Sequence, residues 1–330
     1  MKQYEIAQND SGQRLDKFLK KLFPNASSSL IYKFNRKNKI KVDKKKQDNE
    51  YKLQVWEIVY VYLNDEEIKT LSEKKEVKKV EILQKFDKKN IVYEDKELFI
   101  VNKDSWINVH PWDYKTTEID LITQVRDYLW DKLNSLTFAP SLVHRIDRDT
   151  SGMLLIAKQK NILTKLVDDF KTHDKVKKVY YAIVLGKLPS KSWKIDKKLL
   201  RIVDASKEDK VQVNEKWQNA LSLYKVINEY ELKTPNGIEI ISEVEVEIKT
   251  WRMHQIRVHL NSVWCPIIWD NKYWNKQFNT YISKNFWLTR QALHAWKIEF
   301  NHYQFHLTDN YGSKQVIENL HQCNYWNFLF

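Results

Sequence analysis

Residues 140–157 carry the strongest structural signal in the chain and read Pro-Ser-Leu-Val-His-Arg-Ile-Asp-Arg-Asp-Thr-Ser-Gly-Met-Leu-Leu-Ile-Ala. Two apolar runs, 142–143 and 153–157, flank a polar centre at residues 144–152. Short apolar runs bounded by polar residues predict buried strands. The polar centre is therefore predicted to be a loop held at the ends of those strands.

This loop has four charged residues within five positions, namely Arg145, Asp147, Arg148 and Asp149. A carboxylate that stays ionised in a partly dry cleft needs cationic partners, so such a cluster is typical of an active site. A salt-bridged surface turn would explain the charges equally well. The charges alone leave both interpretations open.

The sequence His-Arg-Ile-Asp-Arg-Asp-Thr-Ser-Gly, followed by an apolar strand, resembles the signature loop of the pseudouridine synthases that modify ribosomal large-subunit RNA. In that family the aspartate directly after His-Arg-(Leu/Ile) is the catalytic residue. The resemblance therefore implies that Asp147 is catalytic and that Asp149 is not. His144 is interpreted as a structural hydrogen-bonding residue.

A second segment, residues 176–186, resembles the family strand in which Lys, Tyr, Ala, Val and Gly alternate with variable positions. The resemblance aligns Tyr180 with the active-site tyrosine. Tyr181 is the rival, because successive side chains of a strand point to opposite faces and only one of the two can enter the cleft. The spacing to Ala182 favours Tyr180.

A third segment, residues 249–260, reads Lys-Thr-Trp-Arg-Met-His-Gln-Ile-Arg-Val-His-Leu. It resembles the family sequence Thr-Gly-Arg-(Thr/Ser)-His-Gln-Ile-Arg-Val-His-Leu, with Trp251 in place of glycine and Met253 in place of Thr/Ser. The resemblance implies that Arg257 pairs with the catalytic aspartate. The residues expected to contact RNA around this site are Arg145, Arg148, Arg252, His254 and Gln255.

The resemblance implies an α+β fold, the pseudouridine synthase fold, in which a mainly antiparallel mixed sheet carries flanking helices. We predict this catalytic domain over residues 91–330. Apolar spacing predicts helices over 119–133 and 161–171, and a hairpin of strands 221–232 and 238–250 around a Thr-Pro-Asn-Gly turn. In the second hairpin strand Val244, Val246 and Ile248 should face the core, and the intervening glutamates should face water. Residues 290–300 resemble the closing strand of the family sequence, and we place them in the core sheet.

Residues 1–64 are predicted to be a separate module. The segment 12–22 has an amphipathic helical pattern, Ser27–Ser29 can cap a second helix, and short strands are expected at 40–42, 53–55 and 57–63. The module resembles the S4-type RNA-binding domain that precedes many synthases of this family. A charged linker is predicted at residues 65–90. The candidate phosphate contacts are Arg14, Lys17, Arg36, Lys37, Lys39 and Lys41.

The charge of the chain suits a phosphate-rich partner. The formal net charge is +13, and residues 1–50 alone hold 13 Lys or Arg against 6 Asp or Glu. Basic side chains supply the sequence-independent part of nucleic-acid affinity. The two cysteines have no close metal-ligand spacing, which indicates a reducing compartment and argues against a zinc site. With neither a signal-peptide core nor a membrane span in the sequence, we expect a cytoplasmic monomer that binds no membrane.

The implied reaction converts uridine in RNA to pseudouridine. It needs no redox step and no group donor, so no cofactor is expected, and ribosomal RNA is the expected substrate. Asp147 would act on the nucleotide, and Arg257 would keep it ionised. Tyr180 would stack on the uracil and could act as the general base for the last proton. Two alternatives remain open at this stage: the same chemistry on transfer RNA, and a non-catalytic RNA-binding or ribosome-assembly factor on the same fold.

Tryptophan is unusually frequent and glycine unusually rare, with 13 Trp and 5 Gly. The family has glycine where this chain has Trp106, Trp251 and Trp269, and the same substitution is inferred at Trp56, Trp264 and Trp274. We hypothesise that many of these codons are UGA, which some bacteria read as glycine. The competing explanation is aromatic enrichment for stacking on RNA bases.

Overall fold

The computed structural model describes residues 1–72, 85–111, 120–129, 135–172, 175–203, 209–235, 237–274, 276–286, 288, 290–301 and 303–307. Much of the predicted linker and the C-terminal tail from residue 308 lie outside these ranges. Within them, the longest helices are too short and too polar to cross a lipid bilayer.

Helices and strands are interspersed along the described parts of the chain. The helices are α1 (Leu15–Leu22), α2 (Ser28–Arg36), α3 (Asp65–Ser72), α4 (Leu121–Leu129), α5 (Lys160–Lys171), α6 (Gln255–Asn261) and α7 (Lys276–Phe286). The first strands are β1 (Lys2–Glu5), β2 (Ile40–Val42), β3 (Ile58–Val61), β4 (Ile91–Glu94), β5 (Leu98–Lys103), β6 (Ser141–Leu142), β7 (Ser151–Ala157) and β8 (Val176–Leu185). The remaining strands are β9 (Ser192–Asp196), β10 (Leu199–Val203), β11 (Asp209–Val213), β12 (Leu221–Thr234), β13 (Gly237–Ile248), β14 (Leu293–Phe300) and β15 (Tyr303–His306).

One large sheet forms the centre of the second domain. Its strand order is β4-β5-β7-β14-β8-β13-β12-β9, with β6 beside β7 and β15 beside β14. The β7–β14 pair is parallel and the other pairs are antiparallel, which confirms the predicted mixed, mainly antiparallel sheet. Gly152 is required where β7 meets β14, because a Cβ there would lie 2.3 Å from the Ala295 carbonyl oxygen.

The β12–β13 hairpin is present as predicted, and it fixes which face of the sheet is apolar. Val244, Val246 and Ile248 are buried in the main core. The prediction that the intervening glutamates face water was wrong at Glu243, which is 3% exposed. There the carboxylate accepts hydrogen bonds from Asn228 and Tyr230, next to a bulge in β12 that brings these side chains over it.

The N-terminal residues fold around their own core. Strands β1, β3 and β2 form a three-stranded sheet, and α1 buries Leu15, Phe18 and Leu19 as the amphipathic pattern predicts. The Ser27 hydroxyl caps α2 by accepting a hydrogen bond from the Leu30 amide. The prediction of a strand at 53–55 was wrong, because Leu53 bonds instead to the backbone before α1. Helix α3 begins inside the predicted linker and packs on this core.

The N-terminal unit contacts the catalytic part through the buried Asp10. Its carboxylate accepts hydrogen bonds from the amides of Leu136 and Thr137, at 2.8 Å each, and from the hydroxyls of Ser135 and Thr137. Lys160 at the start of α5 donates to the Ser11 carbonyl. These charge-assisted contacts hold the two units in a defined arrangement.

Four of the six tryptophans hypothesised to stand for glycine adopt left-handed backbone angles. The φ values are 71° at Trp56, 71° at Trp106, 63° at Trp264 and 64° at Trp269. This region is disfavoured for side chains larger than Asn, Asp or His, and glycine enters it without cost. Trp251 and Trp274 lie outside it, so backbone angles support the hypothesis at the first four positions.

Candidate active site

The predicted loop runs between β6 and β7, and His144 anchors its start. The imidazole Nε2 accepts a hydrogen bond from the Leu155 amide at 3.2 Å, and the ring stacks on Phe170 with 4.9 Å between centroids. Burial lowers the pKa of His144 to about 3, so the ring is neutral at pH 7. His144 therefore supports the loop, as interpreted from the sequence.

Asp147 and Arg257 meet at the centre of the site, although 110 residues separate them in the chain. The Arg257 Nη1 lies 2.9 Å from Asp147 Oδ2. The Asp147 side chain is 28% exposed, whereas that of Arg257 is 7% exposed. The carboxylate can therefore be reached from outside, while its cationic partner is enclosed by protein.

A second carboxylate, Asp270, holds Arg257 from behind. Its two oxygens accept hydrogen bonds from Arg257 Nε at 2.7 Å and Nη2 at 2.8 Å, and Asp270 is 1% exposed. This bidentate pair fixes the plane of the guanidinium and directs Nη1 at Asp147. Sequence reasoning missed Asp270, which lies in an irregular segment between α6 and α7.

Gln291 links this arrangement back to the loop. Its side-chain amide donates to Asp270 at 3.0 Å, and its oxygen accepts from the Thr150 hydroxyl at 3.0 Å. Thr150 lies three residues after Asp147, so the contacts close on themselves. We call this set the polar ring, consisting of Asp147, Arg257, Asp270, Gln291 and Thr150.

The charges around Asp147 keep its carboxyl ionised. Burial alone would raise the pKa of Asp147. The charges of His254, which is protonated only in the acid range where this carboxyl titrates, and of Arg257 and Arg145 outweigh burial, so the pKa lies below its ordinary value. Burial also acts to lower the pKa of Arg257, and the bonds and charge of Asp270 and Asp147 outweigh it, so this pKa is raised. The site at neutral pH therefore presents a carboxylate beside a guanidinium.

The side chain of Lys103 connects two loops near Asp147 by hydrogen bonds to their backbone carbonyls. It is 1% exposed, and its Nζ donates to the carbonyls of Asp104 at 2.7 Å, Ile107 at 3.0 Å and Arg148 at 2.7 Å. Burial lowers the pKa of Lys103 to about 7, against the opposing charges of Asp149 and Asp147. Sequence reasoning assigned Lys103 no role, because a single lysine at a strand end carries no pattern.

Tyr180 lies on the Asp147 side of β8. It is 6% exposed, and both burial and the charge of Asp147 raise its pKa. Tyr181 points the other way, and its ring meets the edge of Trp296 at 6.1 Å. Tyr180 is therefore a neutral phenol at pH 7, which can stack on a base and donate a hydrogen bond but is a poor proton acceptor in the resting site.

The residues predicted to contact RNA near the site differ in their accessibility. Arg145 and Arg148 are exposed, and the Arg148 guanidinium lies 5.4 Å from the centre of the Trp106 ring. Arg252 is half-buried, and its Nε donates to the Asn219 carbonyl at 3.0 Å.

Gln255 and His254 are turned inward. Gln255 is 4% exposed, and its amide bonds to Thr250, Arg252, Leu221 and Ser222. It therefore organises the protein backbone at the entry to α6. The His254 ring lies between Asp147 and Tyr273.

The candidate phosphate contacts of the N-terminal unit fall into two groups. Lys17, Arg36 and Lys37 are exposed. The other three are half-buried and have partners within the unit. These partners are Asp16 and Glu50 for Arg14, Glu67 for Lys39, and the Tyr62 ring for Lys41.

Comparisons with known proteins agree with this fold. The family profile described as RNA pseudouridylate synthase matches residues 97–262, a range that includes Asp147, Tyr180 and Arg257. The chain is 34% identical over 290 residues to the Ribosomal large subunit pseudouridine synthase C of Buchnera aphidicola subsp. Schizaphis graminum, covering 88% of this chain and 86% of that relative. The protein of the same name from Vibrio parahaemolyticus is 31% identical over 304 residues, covering 90% and 88%.

A solved structure supports the same architecture. Human RNA Pseudouridylate Synthase Domain Containing 4 superposes with a TM-score of 0.56, covering 71% of this chain and 93% of its own at 21% identity. At that identity the likeness concerns the fold. The profile match and the two bacterial relatives identify the family, and the chain belongs to the RNA pseudouridylate synthases.

Proposed function

We propose that this chain converts specific uridines of large-subunit ribosomal RNA into pseudouridine, with Asp147 as the catalytic residue. The observation that carries the proposal is the partly exposed carboxylate of Asp147, 28% exposed, which an enclosed arginine holds at 2.9 Å. Such a pair keeps a carboxylate ionised where a nucleotide can reach it. The two bacterial relatives are named for the large ribosomal subunit, which favours that RNA as the substrate.

The reaction rearranges bonds within one nucleotide. The bond between uracil N1 and the ribose C1′ breaks, the uracil turns, and a bond from C5 to C1′ forms, while the C5 proton is lost and N1 gains one. Asp147 acts on the nucleotide as a carboxylate, and Arg257 keeps it aimed. Tyr180 stacks on the uracil, and the exposed Arg145 fills the space that the extruded base leaves in the RNA helix.

The test is pseudouridine mapping on unmodified ribosomal and transfer RNA transcripts incubated with the purified chain. We expect modification of large-subunit RNA, and a loss of at least about 10³-fold in rate for Asp147→Ala. Asp149→Ala is the matched control, because it removes a second carboxylate from the same loop and should retain most activity. Modification of transfer RNA alone, or equal loss in both variants, would contradict the proposal.

We further propose that residues 1–64 are an S4-type RNA-binding domain and that the following segment connects it to the catalytic domain. The exposed Lys17, Arg36 and Lys37 support this role, because basic side chains at the surface can replace the counterions of RNA phosphates. Bound RNA would then be kept close to the active site.

The triple variant Lys17→Gln, Arg36→Gln, Lys37→Gln should weaken RNA binding at all sequences. A plot of log K against log salt has a negative slope, and each lost phosphate contact makes it less steep by about 0.7–0.9. The magnitude of the slope should therefore decrease by about two in the triple variant. A salt titration of binding measures this change. The charge-matched control is the triple variant Lys191→Gln, Lys194→Gln, Lys225→Gln. These three lysines lie at the β9 edge of the large sheet and are also exposed. Equal slopes for the two triple variants would refute the assignment of RNA binding to the N-terminal unit.

A further inference from the structure

His254 occupies an unusual position directly before α6. Its backbone is left-handed, with φ 53°, and its carbonyl accepts the amide of Val258. Histidine is one of the few residues that tolerate this conformation. The imidazole is 12% exposed, and its Nε2 lies 3.7 Å from Asp147 Oδ2. The entry to α6 thus points the ring at the carboxylate.

The other side of the imidazole faces Tyr273. The Tyr273 hydroxyl lies 2.7 Å from His254 Nδ1 and accepts the backbone amide of Val211 at 2.9 Å. The amide can only donate, so the hydroxyl uses a lone pair for it. Among the residues that the structure describes, His254 Nδ1 is the group within hydrogen-bond distance that can accept the phenolic hydrogen, and we assign it that role. The Nδ1 must then carry a lone pair, which leaves the ring proton on Nε2.

A second argument gives the same tautomer. A lone pair on Nε2 would face the carboxylate of Asp147, whereas an N–H at Nε2 is attracted to it. The other charged groups around the ring are Arg257 on α6, Asp270 and Lys272 in the following loop, and Asp209 on β11. Burial lowers the pKa of His254 to about 4 although Asp147 opposes it, so the ring is neutral at pH 7.

The contacts of Arg257 and His254 to Asp147 involve the same carboxylate oxygen. Arg257 Nη1 and His254 Nε2 both approach Oδ2. The Arg257 guanidinium in turn lies 5.1 Å from the centre of the Tyr273 ring, so Tyr273 braces both residues. Because these two groups both approach Oδ2, Arg257 at 2.9 Å and His254 at 3.7 Å, Oδ1 is the oxygen that the described residues leave to face a bound nucleotide.

We propose that His254 is a positioning residue that acts as a neutral Nε2–H donor, set by Tyr273 and Val211, to orient Asp147 so that Oδ1 is the reacting oxygen. The contact is longer than a hydrogen bond in the resting site, and it shortens in the complex with substrate, as is common for catalytic contacts. The inference rests on the proposed role of Asp147. It adds a series of hydrogen-bond donors that runs from the Val211 amide on β11 through Tyr273 and His254 to the Asp147 carboxylate.

The first test needs no activity. In 15N spectra of the full chain with labelled histidine, His254 should show a protonated Nε2 and an unprotonated Nδ1 at pH 7. Tyr273→Phe removes the hydroxyl and should produce a mixture of the two tautomers. A protonated Nδ1 in the parent chain would overturn the proposal, and this outcome is independent of whether any RNA is modified.

The second test uses kinetics. The glutamine side chain can still donate a hydrogen bond to Asp147, whereas the leucine side chain cannot. The kcat of His254→Gln should therefore stay within about tenfold of the parent value, and the kcat of His254→Leu should fall about 100-fold with little change in KM. His259→Leu is the control, because His259 is a buried histidine of α6 that bonds Ser222 and Lys197. It should lower stability without lowering kcat. Equal kcat values for the Gln and Leu variants of His254 would overturn the proposal.

Discussion

Replacement of Arg257 by methionine should lower the free energy of unfolding by about 3–5 kcal/mol, because removing one member of a buried ion pair leaves its partner charged and unpaired. The partner is Asp270, which is 1% exposed and bonds two nitrogens of the guanidinium. The same change removes the cation beside Asp147, so pseudouridine formation should fall below detection even where the variant is folded. Urea unfolding and single-turnover kinetics measure the two effects.

The matched control for this prediction is Arg201→Met. Arg201 makes a bidentate pair with Asp209 of the same geometry, but 63% of its side chain is exposed. Exposed pairs contribute about 0–1 kcal/mol, so this variant should be nearly as stable as the parent. Similar losses of stability for the two variants would contradict the role assigned to burial of the Arg257–Asp270 pair.

The fourfold variant with glycine at positions 56, 106, 264 and 269 should be more stable than the chain as written by about 2–4 kcal/mol. A left-handed backbone costs a side-chain-bearing residue about 1–2 kcal/mol, and the greater freedom of glycine in the unfolded chain offsets part of the gain at each site. Trp56 and Trp264 are 76% and 89% exposed, so their rings contribute little packing that would be lost. Thermal and urea unfolding measure the difference.

Trp193→Gly provides the contrast. Trp193 is largely exposed, as Trp56 and Trp264 are, but it lies within the extended strand β9. Glycine there should lower stability by about 0.5–1 kcal/mol. If the codon hypothesis holds, the intact mass of the protein made in its own organism will be lower than that of a chain with 13 tryptophans. A native mass that matches 13 tryptophans would refute it.

Much of the site could be predicted from the sequence because its central elements are local patterns. The apolar runs around residues 144–152 predicted β7 and the loop before it, and the alternation in 243–248 predicted the buried face of β13. The family resemblance paired Asp147 with Arg257 and preferred Tyr180 to Tyr181. The structure brings Asp147 and Arg257 into contact and places Tyr180 on their side of the sheet.

The residues that sequence reasoning missed act through contacts between distant segments. Asp270 follows an apolar run and resembles any loop aspartate until the fold places it behind Arg257. Lys103 ends a strand whose six residues are all buried, and its three carbonyl partners come from two separate loops. Gln255 lies within a recognised motif, yet its amide bonds inward. Which side chain turns inward depends on tertiary packing and not on local pattern.

The polar ring has a consequence for the way the loop opens. Each member holds the next, from Asp147 through Arg257, Asp270 and Gln291 to Thr150, and the backbone from 147 to 150 completes the circuit. A linear chain of contacts can fray from one end, but a closed circuit has no end. The amides of this segment should therefore exchange with deuterium together, in one cooperative opening, instead of one residue at a time.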